Sequence, residues 1–332
     1  MNGIDIGRFP FEFDLTWMSF FQTHQGRTLL RYGGRDDSSP ESQLNQPSLV
    51  SAMKDALRLY EAKQLRPVNQ YEPANATAFT PDDIPSIPKM LSKRQVKCIH
   101  CHDVKHAQLA ELRKAGTLTK AMVFSYPSPS NLGIQLDPKQ QNQIKSLTSD
   151  STATSAGLRP GDVLQALGGQ PVLTYADVTR VLELAADEGK ITMDVTRTLN
   201  AKPQSLSVEL PLPKGWKTLG DPSWRESTHV VGPNSGFWAV TLSKTERKNL
   251  KLDDEKLGLR ATAIWGQWAK QAGVKHGDII IAIDGRTDDM GIKQLQTHLQ
   301  MNRNWGDTVS LTVLRKRKPM VLSMKLPPQP KD

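Results

Sequence analysis

The sequence predicts an α+β, multi-domain chain in which one strand–helix–strand unit is built twice. Two observations carry this. First, "AGLRPGDVLQALGGQ" (156–170) aligns without a gap on "AGVKHGDIIIAIDGR" (272–286). The match continues downstream, "VTRVL" from Val178 on "LQTHL" from Leu295 and "ITMDVTR" from Ile191 on "VSLTVLR" from Val309. Self-similarity at a fixed spacing marks a duplicated unit. Second, both copies follow a stretch that reads as a hairpin and one helix, an unlike piece at the front of the chain.

In order along the chain, residues 1–63 come first. "LTWMSFFQTHQGRTLLRYGGR" reads as strand, turn, strand, with Trp17–Phe21 running into "THQG" and Thr28–Tyr32 returning. In "SLVSAMKDALRLYEAK" the apolar residues Leu49, Met53, Leu57 and Tyr60 form a helical stripe, expected to be the buried face. A two-stranded hairpin and a single helix cannot bury that many aromatics alone. Residues 64–93, rich in proline, asparagine and aspartate, read as a connector. Residues 94–128 hold both cysteines in "KCIHCHDVKH" and a short helix ending near Gly116. The first copy occupies 129–213, a linker 214–234, and the second copy 235–328.

Within each copy a glycine–aspartate turn (Gly161-Asp162, Gly277-Asp278) delivers the chain into an apolar strand, Val163-Leu164 or Ile279-Ile280-Ile281. The aspartate suits such a turn because its side chain can accept from nearby backbone N–H groups. A second tight turn (Gly168-Gly169, Asp284-Gly285), an amphipathic helix and a β-branched strand follow.

The bulk properties exclude some functions. The net charge of +9 is scattered. Its densest run, Arg315-Lys316-Arg317-Lys318, falls between strand-like segments and is expected to be a solvated hairpin turn. With no zinc-finger or aromatic–basic signature, a nucleic-acid partner is set aside. Two cysteines cannot build a disulfide framework, and no apolar run reaches the roughly 18 residues of a membrane span. No Ser–His–Asp set or other hydrolytic constellation is legible, so no catalytic residue is assigned. The amino terminus lacks the basic region and cleavage site of a signal peptide, which taken literally means a cytoplasmic chain.

The motif A-G-[LV]-x-x-G-D-[VI]-[LI] followed by glycine, present twice, closely resembles the PDZ family as arranged in bacterial envelope proteases. The resemblance implies two PDZ-like partly open β-barrels with flanking helices. It also implies a groove between one strand and one helix that takes an extended peptide or a protein C-terminus by β-augmentation. In that family an apolar–glycine loop gives backbone N–H groups to the ligand carboxylate. Carried over, the loop is Leu132, Gly133 and Ile134, Leu136 continues the strand, and Val178 and Leu182 wall the pocket. In the second copy "KLGLRATAI" sits too close to Gly273, so the loop and strand are placed at Gly236, Phe237, Trp238 and Val240. The insert "SKTERKNLKLDDEK" then precedes the strand "LRATAI". Phe237 and Trp238 are bulky enough to fill that groove, which makes the first copy the expected binder and the second a packing or regulatory copy. The competing reading is that these glycines and aliphatics only build the fold.

The front of the chain is similar to the C-terminal ββα half of a thioredoxin-like fold. "FEFDLTWMSFF", "RYGGRD" and "CIHCH" recur in bacterial fusion proteins that join a thioredoxin-like domain to two PDZ modules, a family with selenocysteine-containing members. The chain departs from them in lacking the upstream dithiol and in carrying Leu15-Thr16 where a proline is usual. The resemblance implies that Met1 is a restart after a selenocysteine codon read as a stop. On that view a signal sequence is lost and the protein belongs to the periplasm or cell envelope, with polypeptide segments of envelope proteins as partners. It also implies a rival function, a thiol or selenol oxidoreductase whose active site precedes Met1.

Cys98-Ile99-His100-Cys101-His102 is the C-x-x-C-H pattern of covalent c-type haem. Two thiols one helical turn apart can each bond a vinyl-derived carbon while His102 points at the iron. Met122 is the candidate for the second axial position and an electron-transfer protein the partner implied. Other readings stay open: a metal held by Cys98, Cys101, His102 and His106, a redox dithiol, or a disulfide pinning the linker.

Overall fold

The computed structural model describes residues 1–62, 79–92 and 94–330. They form two units, Met1–Gln108 with Ala121–Gly220, and Leu109–Lys120 with the chain from Asp221 onward.

The first unit opens with an antiparallel hairpin, β1 (Met18–Gln22) and β2 (Thr28–Gly33), followed by helix α1 (Gln46–Glu61). The phase of α1 differs from the expected stripe. Its buried face is Ser48, Ala52, Ala56 and Leu59, while Met53, Leu57 and Tyr60 are about half exposed. The cause lies at its start. Asn45 caps the helix by accepting from Ser48 N–H (3.0 Å), and the buried Tyr32 hydroxyl bonds both Asn45 O (2.9 Å) and Ser48 Oγ (2.8 Å). That anchor turns the small residues Ala52 and Ala56 toward β2. The aromatics are covered by the protein's own segments, Phe20 meeting Phe9 and Phe11 edge-on at 5.2 and 6.0 Å.

Most of the predicted connector at 64–93 lies outside the described residues. Its described end is packed, not loose: a 3₁₀ turn at Pro81–Asp83 and helix α2 (Ser86–Ser92) bury Ile84 and Ile87 against Ile6, Ile99 and Val104. Helix α3 (Cys101–Lys114) begins at the second cysteine and ends two residues before Gly116, whose φ of +72° breaks it.

The first copy consists of β3 (Ile134–Leu136), β4 (Ile144–Leu147), the single turn α4 (Thr152–Ser155), β5 (Val163–Leu167), β6 (Gln170–Pro171), α5 (Tyr175–Leu184), β7 (Gly189–Leu199) and β8 (Lys202–Leu212). β3 and β4 form one sheet and β6-β5-β7-β8 another. The second copy, in the second unit, consists of β9 (Phe237–Thr241), α6 (Lys244–Leu250), β10 (Leu259–Ile264), α7 (Gln267–Gln271), β11 (Ile279–Ile283), α8 (Ile292–Asn302), β12 (Thr308–Arg315) and β13 (Lys318–Lys325). Its five strands make one open sheet in the order β13-β12-β11-β10-β9.

The duplication is visible bond by bond. Ile144 bonds Asp162 O and Gly161 N (2.8 Å each), and Ala261 bonds Asp278 O and Gly277 N in the same way (2.8 Å each). Asp162 accepts from Arg159 N–H and Asp278 from Lys275 N–H (2.9 and 2.8 Å), the turn role expected of them. Each aspartate also takes two bonds of 2.7 Å from an arginine at the end of the later strand, Arg197 or Arg315. The same arginines donate to Gly157 O and Gly273 O. Arg315 is therefore not part of a solvated run. Only Lys316 and Arg317 form the β12–β13 turn, both at positive φ.

The predicted linker at 214–234 is structured as well. Three 3₁₀ turns, Trp216–Thr218, Pro222–Trp224 and Glu226–Val230, occupy it. Trp216 belongs to the first copy's core and is fully buried.

Candidate peptide-binding edges and the cysteine segment

In the first copy, Leu132, Ile134, Leu136, Val178 and Leu182 do come together, but as a closed core: none is more than 6% exposed. Gly133 adopts φ +86° at the end of a 3₁₀ turn, Pro129–Leu132, and its N–H is spent on Ser130 O (2.9 Å), so it is not free for a carboxylate. Two bridges join strand side to helix side. At the start of α5, Gln141 bonds Tyr175 N (3.3 Å) and Gln43 O (2.8 Å). At its far end Trp216 donates Nε1–H to Ala186 O (3.1 Å), while Asn131 of the 3₁₀ turn donates to Trp216 O (3.0 Å). Neither Trp216 nor Gln141 stood out in the sequence. A fully buried tryptophan in a supposed linker could have been suspected only from its indole, which needs both an apolar bed and an acceptor.

The strand edge itself is preserved. Thr148 N–H bonds Gly133 O and Asp137 N–H bonds Gln143 O (2.9 Å each), which makes Ile134/Leu147 and Leu136/Ile144 the non-bonded pairs of the ladder. The N–H and C=O groups of Ile134 and Leu136 thus point away from β4.

The second copy repeats this at β9, the edge of its sheet. Leu242 N–H bonds Gly258 O and Trp265 N–H bonds Gly236 O, so Phe237, Ala239 and Thr241 turn their backbone groups outward. Side chains alternate as a strand requires. Phe237 and Ala239 are buried, whereas Trp238 and Val240 are 40% and 47% exposed. Phe237 and Trp238 therefore do not fill the groove as expected: Phe237 is core, and Trp238 lies on the outer face.

What occupies the loop is polar. Gln296 of α8 accepts from Ser235 N–H (2.8 Å) and donates to Phe237 O (3.0 Å), Asn234 Oδ1 accepts from Gly236 N–H (2.9 Å), and Ser235 Oγ accepts from Phe237 N–H (3.2 Å). Gly236 (φ +74°) is required there, since a Cβ would collide with the Trp268 indole. Among the described residues, no strand pairs with the outer edge of β3 or β9.

Around the cysteines, Cys98 is exposed and Cys101 half-buried, and both thiols are free. Cys98, His100 and His102 line one open cavity of about 400 Å³ with Arg94 and Val96. Cys101 turns the other way, toward the Met1 sulfur at 3.6 Å, and burial pushes its thiol pKa up. Met122, about a third exposed, is not among the residues lining the cavity. Asp103 is the local anchor. Buried, it takes two 2.7 Å bonds from Arg94 and one from His100 N–H (2.9 Å). Burial opposes its ionisation, but the Arg94 guanidinium and the backbone bond outweigh that and hold its carboxyl below the ordinary range. Among the described residues no three of His, Cys, Asp and Glu converge as metal ligands, so the set Cys98, Cys101, His102 and His106 is not assembled.

No helix among the described residues is long and apolar enough to cross a membrane. Comparison with known proteins gives a match of residues 143–197 to the family model described as "PDZ domain". The chain is 26% identical over 194 residues to a probable periplasmic serine endoprotease DegP-like of Pseudomonas savastanoi pv. phaseolicola, covering 58% of this chain and 38% of that protein. A protein so described from Pseudomonas putida is 25% identical over 195 residues, 58% and 39% of the two chains. The chain thus spans under two fifths of the length of these relatives. A solved structure, the HtrA-type protease AlgW with decapeptide, overlaps 52% of this chain and 56% of its own at 16% identity and a TM-score of 0.27, too low a likeness to bear on this fold. The chain carries a PDZ domain, and its likeness to DegP-like proteins extends over more than half its length.

Proposed function

We propose that this protein binds extended segments of other polypeptides in the bacterial envelope by adding them as a strand beside β9 and, secondarily, β3. The observation that carries this is the backbone of Ala239. The residue opposite, Ala261, spends its own N–H and C=O on Asp278 and Gly277, so the N–H and C=O of Ala239 lie on the outer edge of β9, beside which no strand of the described residues pairs. Buried ladder groups left without partners are costly, and an incoming strand satisfies them. The PDZ match, which lies in the first copy, and the periplasmic relatives support peptide binding in the envelope without choosing between the copies.

The second copy leads because, among the described residues, α8 bonds β9 at the loop, through Gln296, while Thr241 at the other end is exposed. The first copy is bridged at both ends. The test uses a permanently unfolded probe, reduced and carboxymethylated lysozyme, titrated against the whole chain by fluorescence anisotropy. Saturable binding that weakens about tenfold or more in Ala239→Pro is expected. Binding unchanged by that substitution overturns the reading.

Covalent haem at Cys98 and Cys101 is proposed separately. The open cavity beside Cys98 and His102 supports it, and the inward turn of Cys101 counts against it. A Soret band surviving acid–acetone extraction, after co-expression with haem-attachment machinery, is its test. The relation of β1, β2 and α1 to a thioredoxin-like half, with an oxidoreductase role, is likewise a proposal. The hairpin-then-helix order of β1, β2 and α1 supports it.

A further inference from the structure

We infer that the second copy takes an internal stretch of an extended chain rather than a chain end, because its own side chains already occupy the donors that a terminal carboxylate would need. This rests on the strand-addition reading of β9 and specifies its ligand.

Three consecutive amides lead the chain into β9, those of Ser235, Gly236 and Phe237. Each is satisfied from within, by Gln296 Oε1, Asn234 Oδ1 and Ser235 Oγ respectively. The set is closed further by Gln296 Nε2, which donates to Ser235 Oγ (2.7 Å) and to Phe237 O. Gln296 and Ser235 are 7% and 0% exposed, so these bonds are not solvent-labile. The Trp268 indole, donating to Asn234 O (3.2 Å), fixes the loop from its other side. A carboxylate entering here has to break several bonds in a buried site and strand the Gln296 amide. It would gain no donor that the loop does not already use.

What remains for a ligand is the ladder beyond the loop. Ala239 and Thr241 offer outward N–H and C=O groups, and Trp238 and Val240 present an apolar surface on the exposed face of the same strand. A strand laid beside β9 would set every second side chain next to Trp238 and Val240, where aromatic and β-branched residues pair best. Its other side chains would lie on the face where Ala239 is 1% exposed, where room is scarce, and must be small. The ligand is thus a segment alternating β-branched or aromatic residues with small ones, its terminus irrelevant.

The test uses acetylated peptides alternating valine or tyrosine with serine, each made with a free C-terminal carboxylate and as the amide, and titrated against the whole chain. The two forms are expected to bind within about twofold of each other. In Gln296→Ala, which frees the Ser235 amide, the free acid is expected to gain about fivefold over the amide. N-methylating alternate peptide nitrogens locates the ladder without altering the protein: one set abolishes binding and the other leaves it. A wild-type preference of about tenfold or more for the free acid overturns this inference while leaving strand addition intact. An acid-to-amide ratio unmoved by Gln296→Ala, in a variant with unchanged urea midpoint, removes Gln296 from its role and overturns it too. Binding indifferent to N-methylation at every position, or no binding in either form, defeats strand addition itself and this inference with it.

Discussion

Asp278 shows how one residue joins turn, strand and stability. It is 2% exposed, accepts from a turn amide, and receives a two-pronged bond from Arg315. Burial opposes its ionisation, yet the Arg315 guanidinium and the Lys275 N–H together hold its carboxyl below the ordinary range. A carboxyl with a lowered folded-state pKa adds stability above its unfolded value, near 3.9, and that stability drains as pH falls through the folded value. Asp278→Asn is therefore expected to cost about 2–4 kcal/mol at pH 7, with a smaller loss of urea midpoint between pH 7 and pH 3 than wild type. An acid response equal to wild type would detach the pair from stability. The thiols give a second residue-scale expectation. Iodoacetamide at neutral pH should label exposed Cys98 well before Cys101, whose thiol is half-buried and raised in pKa. Peptide mapping after brief labelling reads the order.

At the scale of elements, α1 separates what a periodic pattern can and cannot tell. Its existence follows from spacing and from Asn45 ahead of a proline-bearing first turn. Its phase does not, because two adjacent stripes compete: Met53, Leu57 and Tyr60 on one, Ala52, Ala56 and Leu59 on the next. Hydrophobicity favours the first, and the Tyr32 hydroxyl chooses the second by gripping Asn45 and Ser48. Leu59→Ala should thus destabilise by about 2–3 kcal/mol and Leu57→Ala by less than about 0.5, measured by urea unfolding. The reverse ranking would show the helix rotated. The grooves teach a related lesson. α8 was legible from the repeat and β9 from the resemblance, because glycine–aspartate turns and alternating strands leave strong local marks. Gln296 was not, since a glutamine inside an amphipathic helix looks the same whether it faces water or closes a loop.

Over the whole chain, the duplication makes a prediction about independence. Asp162→Asn and Asp278→Asn remove equivalent bonds that share no partner, one with Arg197 and one with Arg315. The cost of the double variant should equal the sum of the single costs within about 0.5 kcal/mol, as denaturation curves would show. A clear excess or shortfall would mean that the two copies answer to each other. The sequence revealed that there are two copies and where the strands after each glycine–aspartate turn fall, but not what covers them, because coverage comes from residues far apart in order. Gln43 at Gln141 and Arg31 at Asp177 are examples.

Trp216 has a practical sequel. Similarity to its sister places the end of the first copy at β8, yet the indole that completes its interior comes afterwards and is tethered to Ala186 and Asn131. Anyone excising that copy at Leu212 would remove a wall along with the tail. The evolutionary seam and the folding seam run through different residues.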